Sequence, residues 1–193
     1  LPLISKDYDV LFRDSMSSGW LTTGPKVKEF ETKLSSFLCA KHVIAVNSCT
    51  AALHLALAAF GIEKKHKFIV PTHTFVASVE VGEYLGAEPI FIDSCLDTFN
   101  LNLDHVEQEL IKDVNKEIKA IIPVHFGGQA VDLERVYELA KKYDLFVLED
   151  AAHALETVAN GVKVGNTNHA VAFSFYANKN ITTGGEGGAL ATN

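Results

Sequence analysis

The residues best suited to do chemistry lie between Leu145 and Ala191. Two carboxylates, Glu149 and Asp150, close the apolar run Leu145-Phe146-Val147-Leu148. A hydroxyl, Ser174, closes a second run, Ala170-Val171-Ala172-Phe173, and a primary amine, Lys179, follows five residues later. Beyond the lysine the chain turns to threonine, glycine and glutamate. Short apolar runs bounded by turn residues read as buried strands, and functional groups gather where such strands end. An aspartate and a lysine on adjacent strand ends suit pyridoxal phosphate chemistry. The amine forms a Schiff base with the aldehyde, and the carboxylate keeps the pyridine nitrogen protonated so that the ring accepts electrons. The same pair also suits a buried ion pair beside a solvated glycine loop, and spacing alone leaves both readings open.

Other chemistries find little support. The three cysteines, Cys39, Cys49 and Cys95, are scattered and form no CxxC pair, which fits reduced thiols in a cytosolic setting and predicts no metal site. The eight histidines show no HExxH spacing. Gly19 and Gly24 stand at phosphate-loop spacing, but no strand precedes them, Pro25 separates the glycine from Lys26, and Val27 stands where Ser or Thr is required. The dense cluster Gly184-Gly185-Glu186-Gly187-Gly188 leads into a strand and opens no helix, unlike a dinucleotide fingerprint. A net charge of −7 argues against a nucleic-acid surface, so any phosphate must be held by local amides and hydroxyls. No apolar run approaches the roughly 18 residues of a membrane span. The first ten residues, LPLISKDYDV, lack the basic and apolar regions of a signal peptide.

The elements that must carry these groups follow in order. Leu1 to Thr23 reads as mostly irregular. Pro25 to Phe37 reads as a Pro-initiated helix with Val27, Phe30, Leu34 and Phe37 on one face. His42 to Val46 is a strand. Asn47-Ser48-Cys49-Thr50 then caps a helix from Ala51 to Phe60 whose free N-terminal amides make either a plain cap or an anion site. A strand from Lys67 to Val70 leads through Thr72-His73-Thr74 to a helix, Phe75 to Leu85, with Phe75 at the junction. Strands are expected at Pro89–Ile92, Ala120–Val124 and Leu145–Asp150, and helices at Leu103–Leu110, capped by Asn102, and Val131–Tyr143. Strands that are continuous apolar runs, alternating with helices, predict an α/β fold: a mostly parallel central sheet covered by helices on both faces. We expect about seven strands, with Asp150, Ser174, Phe75 and Lys179 on one edge. With 48% hydrophobic and 21% charged residues, the 193 residues fit an ordinary globular chain.

Five segments in one order, SGWLTTGP (18–25), NSCTAALHLAL (47–57), VPTHTFVAS (70–78), EDAAHA (149–154) and FSFYANKNITTGGEGGA (173–189), resemble the DegT/DnrJ/EryC1/StrS family of pyridoxal-phosphate sugar aminotransferases. The resemblance covers the whole chain. It implies the large domain of the type I fold of these transferases across residues 1–193. It also implies a cytoplasmic homodimer that converts a nucleotide-linked keto-sugar to an amino-sugar, with glutamate or glutamine as the amino-acid donor. Lys179 is implied as the Schiff-base lysine and proton carrier, and Asp150 as the partner of the ring nitrogen. His153 would lie against the ring or its phenolic oxygen, and Phe75 would stack on it. Ser48, Thr50 and Ser174, with the amides of Cys49, Thr50 and Ala51, would hold the phosphate. Trp20 and Thr22 would help shape the sugar pocket.

One departure stands out. Members of the family are considerably longer, so the resemblance implies that a smaller C-terminal domain and partner residues near the phosphate lie beyond Asn193. Three alternatives remain at this point. A non-catalytic or regulatory relative is disfavoured by the presence of both Lys179 and Asp150. A sugar dehydratase of the same family would carry histidine in place of Lys179. The third is an aminotransferase acting on a non-nucleotide cyclic ketone.

Overall fold

Runs of β-branched and aromatic residues, each too short to bury itself as a helix, hydrogen-bond side by side into a seven-stranded sheet. The computed structural model describes residues 7–193. In chain order its elements are α1 (Tyr8–Ser17), α2 (Pro25–Leu38), β1 (His42–Val46), α3 (Cys49–Ala59), β2 (Lys67–Pro71), α4 (Ala77–Glu83), β3 (Glu88–Ile92), α5 (Leu103–Lys112) and β4 (Ile118–Ile121). A short 3₁₀ turn (Phe126–Gly128) follows, then α6 (Leu133–Tyr143), β5 (Phe146–Asp150), β6 (Val158–Ala159), β7 (Val162–Lys163), β8 (Ala170–Ser174) and β9 (Gly188–Thr192).

The strand order is β1-β9-β8-β5-β4-β2-β3. Pairing is parallel from β8 through β5, β4 and β2 to β3, and β9 runs antiparallel to both β1 and β8. Six strands therefore point one way and β9 alone points back. β6 and β7 form a separate two-stranded hairpin.

Alternation along each central strand feeds two layers of core. Phe68, Val70, Ala120, Ile122, Leu148, Ala170 and Ala172 pack with Ala52, Leu53, Ala56 and Leu57 of α3 and Val81 of α4. Ile69, Ile121 and Val147 face the opposite way, onto Val106 and Leu110 of α5 and Val136 and Leu139 of α6. Val171, Phe173, Ala189 and Ala191 meet Leu34 and Leu38 of α2 on that second face. Helices thus cover both faces of a mostly parallel sheet, as expected.

Several boundaries differ from the sequence reading, each for a local reason. The stretch expected to be irregular contains α1; its first six residues, Leu1 to Lys6, lie outside the described residues. No side-chain cap opens α1 and none of its residues is buried, so it shows neither of the usual sequence marks of a helix. The helix expected from Phe75 begins at Ala77, because residues 75–78 form a turn in which the Ser78 amide donates to the Phe75 carbonyl. The strand expected at Ala120–Val124 starts earlier and ends at Ile121, two residues before Pro123, which has no amide to extend the ladder. The helix expected from Val131 starts at Leu133, where the Asp132 carboxylate accepts from the Arg135 amide. Among the described residues no helix is long and apolar enough to cross a membrane, and no group of His, Cys, Asp and Glu could hold a metal ion.

Candidate functional site

Parallel strands carry their carboxyl ends to one edge, and the functional groups collect there. β5 delivers Asp150, β8 delivers Ser174, β1 leads into α3, and β2 leads through Thr74 to Phe75. Reversed β9 brings its first residues to the same edge. Together these segments enclose a cavity of about 500 Å³ whose lining includes Ser48, Cys49, Thr50, Thr74, Phe75, Val124, His125, Asp150, His153, Ser174, Lys179 and Glu186. The Asp150 carboxylate and the Lys179 amine therefore line one cavity on one edge.

At one end of the cavity lies the start of α3. Ser48 caps it, its Oγ accepting from the Ala51 amide at 3.1 Å. This leaves the Cys49 and Thr50 amides, as first-turn donors, without intrahelical acceptors. Ala51 is thus occupied by the cap, whereas Cys49 and Thr50 line the cavity. The backbone of β9 runs hard against this turn. A side chain at Gly188 would overlap the Ser48 carbonyl and the Cys49 amide, so only glycine permits the approach. Ser174 adds a hydroxyl, whose oxygen accepts weakly from the Tyr176 amide at 3.4 Å.

Asp150 is 5% exposed and fully oriented. Its Oδ2 accepts from Ser78 Oγ at 2.7 Å and its Oδ1 from the Ala152 amide at 3.1 Å. Ser78 in turn shares a hydrogen bond of 2.8 Å with Thr74 Oγ1. The Cys49 thiol lies 4.0 Å from Oδ1; burial first, and then the Asp150 charge, push it well above the ordinary thiol range, so it stays a neutral neighbour.

Lys179 Nζ lies 2.8 Å from His153 Nε2. Burial, partial as it is, and the Lys179 charge lower the His153 pKa, with Asp150 opposing. A ring held neutral keeps a lone pair for the ammonium; once the ring protonates, the contact becomes one of two cations. Acidification is therefore expected to break the contact only below the ordinary imidazole value of 6.5. A nitrogen-15 NMR titration of the His153 ring should show a midpoint on the acid side of 6.5, and a midpoint at or above it contradicts this account.

Phe75 stands at the rim, 74% exposed. Trp20 and Thr22 are not among the cavity-lining residues. The Trp20 indole donates to the Thr23 carbonyl at 2.9 Å and covers Gly24 instead. Glu149, adjacent to Asp150 in sequence, is carried by strand alternation to the other face of the sheet, where it meets His125 and Tyr137. The sequence reading missed Ser78, Thr74 and His125. Two of them lie in connecting segments and Ser78 in the first turn of a helix, so no periodicity marks any of them.

Residues 2–193 match the model of the DegT/DnrJ/EryC1/StrS aminotransferase family. The chain belongs to that family. Its members depend on pyridoxal phosphate, and the architecture is the type I fold of those aminotransferases. The chain is 46% identical over 192 residues to the spore coat polysaccharide biosynthesis protein SpsC of Bacillus subtilis, covering 100% of this chain and 48% of that protein. It is 39% identical over 181 residues to the GDP-perosamine synthase of Vibrio cholerae, covering 93% and 48% respectively. The PLP-form structure of Spr1654 from Streptococcus pneumoniae superposes with a TM-score of 0.91 at 33% identity, over 100% of this chain and 52% of that one. The chain thus spans about half the length of the curated relatives it matches.

Proposed function

We propose that this chain is the cofactor-binding large domain of a pyridoxal-phosphate-dependent sugar aminotransferase. In this reading it transfers an amino group from glutamate or glutamine to a nucleotide-linked keto-sugar. The observation that carries the reading is the single cavity that holds the Lys179 amine, the buried Asp150 carboxylate and the open first turn of α3 together. Family membership supports the reaction class. A relative named for a GDP-linked amino-sugar supports the nucleotide-sugar substrate. We further propose a cytoplasmic homodimer that binds neither nucleic acid nor membrane; the exposed apolar side chains Phe12, Met16, Trp20 and Phe75 support association.

The donor set fits the cofactor. Amides and hydroxyls at a helix N-terminus suit a phosphate dianion in an acidic chain. A carboxylate held by two internal donors retains free lone pairs for a cationic ring nitrogen. When bound, pyridoxal phosphate supplies an aldehyde that captures amines and a ring that accepts the electrons released when the neighbouring C–H bond breaks. Cys49, Thr50 and Ser174, with the Ser48 hydroxyl, would bind the phosphate, while the Ala51 amide keeps Ser48 in place. Asp150 would hold the proton on the ring nitrogen, oriented for that by Ser78 and Ala152. Phe75 would cover the ring and shed water from it. Lys179 would carry the proton between reacting atoms, and His153, bonded to its Nζ, would keep that amine aimed into the cavity. Trp20 and Thr22 would reach a sugar only from outside this chain's own cavity, as across a dimer interface.

The test is to incubate the protein with pyridoxal phosphate, glutamate and a panel of nucleotide keto-sugars and to follow products by mass. Conversion of a carbonyl to a primary amine raises the mass by about one dalton and adds a basic nitrogen. Amination of a free cyclic ketone with no amination of any nucleotide-linked one would overturn the substrate assignment.

A further inference from the structure

On the far side of the sheet from Asp150 lies a polar group that the proposed chemistry does not use. Glu149 and His125 are both completely buried side chains. His125 Nδ1 accepts from the Val131 amide at 3.2 Å, so the ring proton sits on Nε2 and is donated to Glu149 Oε2 at 3.0 Å. The Tyr137 hydroxyl donates to the other oxygen, Oε1, at 2.6 Å. Burial and the Glu149 charge push the phenol far above its ordinary range, so it remains a donor. A buried carboxylate is costly even when bonded, and an apolar trio of the same volume would be no less stable.

The position of His125 accounts for that cost. β4 ends at Ile121, yet Val124, His125 and Phe126 go on to form one wall of the cavity. Their backbone meets β5 through two hydrogen bonds, from the Asp150 amide to the Pro123 carbonyl at 2.9 Å and from the His125 amide to the Asp150 carbonyl at 3.0 Å. Asn100 steadies the far side of the same loop, accepting from the Phe126 amide at 3.2 Å. The His125 ring ties this wall to the residue that immediately precedes Asp150.

We propose that Tyr137, Glu149 and His125 form a positioning device that pins the Val124–Phe126 wall against Asp150 and so holds the cavity in the shape that accepts pyridoxal phosphate. The proposal rests on the cofactor assignment above. Glu149 is here a positioning residue; its carboxylate acts through His125 and does not touch the cofactor.

The experiment is a titration with pyridoxal phosphate, followed by absorbance and by the circular dichroism of the bound chromophore, with thermal unfolding of the cofactor-free protein measured in parallel. Glu149→Ala is expected to weaken cofactor affinity about tenfold and to change the sign or intensity of the chromophore's dichroism. Glu149→Gln retains a hydrogen-bonding head and is expected to recover most of the affinity. If Gln is as weak as Ala, the charge and not the pinning matters, and the proposal fails. If Glu149→Ala lowers only the unfolding temperature, with affinity and dichroism as in the unmodified protein, the trio is merely structural and the proposal also fails. Should Glu149→Ala not fold, Tyr137→Phe gives the same reading, with a severalfold loss expected and an unchanged affinity decisive against. An unmodified protein that binds no pyridoxal phosphate would overturn the cofactor assignment and this proposal together.

Discussion

Replacing Lys179 with alanine is expected to abolish transamination while leaving pyridoxal phosphate bound. The expected loss of turnover is about a thousandfold or more, because the variant lacks both the amine that bonds the aldehyde and the group that moves the proton. Retention of the cofactor follows from the separation of roles in the cavity. The start of α3 and the Asp150 carboxylate come from other elements and do not depend on the lysine. Two measurements check this. Turnover is followed by amino-sugar formation. In the unmodified protein, borohydride reduction followed by peptide mapping should put the label on Lys179. Competing amines have other partners: Lys26 is paired with Asp14 at 3.0 Å, and Lys163 lies 3.3 Å from the centre of the Phe37 ring. Normal turnover in Lys179→Ala, or a label on one of those surface lysines, would return the Asp150 and Lys179 pair to a purely structural role.

Replacing Asp150 should do more damage to binding. Asp150→Ala removes the charge that keeps the ring nitrogen protonated. It also removes the acceptor of the part-buried Ala152 amide and one of the two partners of the buried Ser78 hydroxyl, which keeps Thr74 Oγ1. Leaving such a donor without its acceptor costs about 1–3 kcal/mol at most, so somewhat lower stability, weaker cofactor affinity and lost turnover are expected together. Asp150→Asn separates these effects. An amide oxygen can still accept from Ser78 or from Ala152, so stability and affinity should be largely kept. Turnover should still fall by roughly a hundredfold or more, since a neutral partner no longer favours the protonated ring. Thermal unfolding, cofactor titration and a turnover assay distinguish the three quantities. If Asp150→Asn turned over normally, the ring would not need the carboxylate, and the assignment of Asp150 would be wrong.

Much of this site was legible in the chain because its signals are local. Apolar runs ending on Asp150 and Ser174 marked two strand ends. Ser48 and Asn102 announced helix starts through hydrogen bonds that span two or three residues. Where a local signal was missing, the reading failed. α1 has no side-chain cap and no buried face, and Pro123 ended β4 earlier than its apolar run suggested.

What the sequence alone determined is therefore the α/β class, the set of strand ends, and the residue types able to bind a phosphate, a ring nitrogen and an aldehyde. Strand order and the tertiary contacts that follow from it decided the rest. Ser78, in the first turn of α4, reaches Asp150 across 72 residues of chain, and His153 reaches Lys179 across 26 because β5 and β8 are parallel neighbours. The reversal of β9 brings Gly188 onto the first turn of α3, and the pin between His125 and Glu149 depends on β4 lying beside β5. Such contacts depend on which strand lies next to which. That arrangement is set by burial of the whole sheet between two helical layers, and no short stretch of sequence carries it.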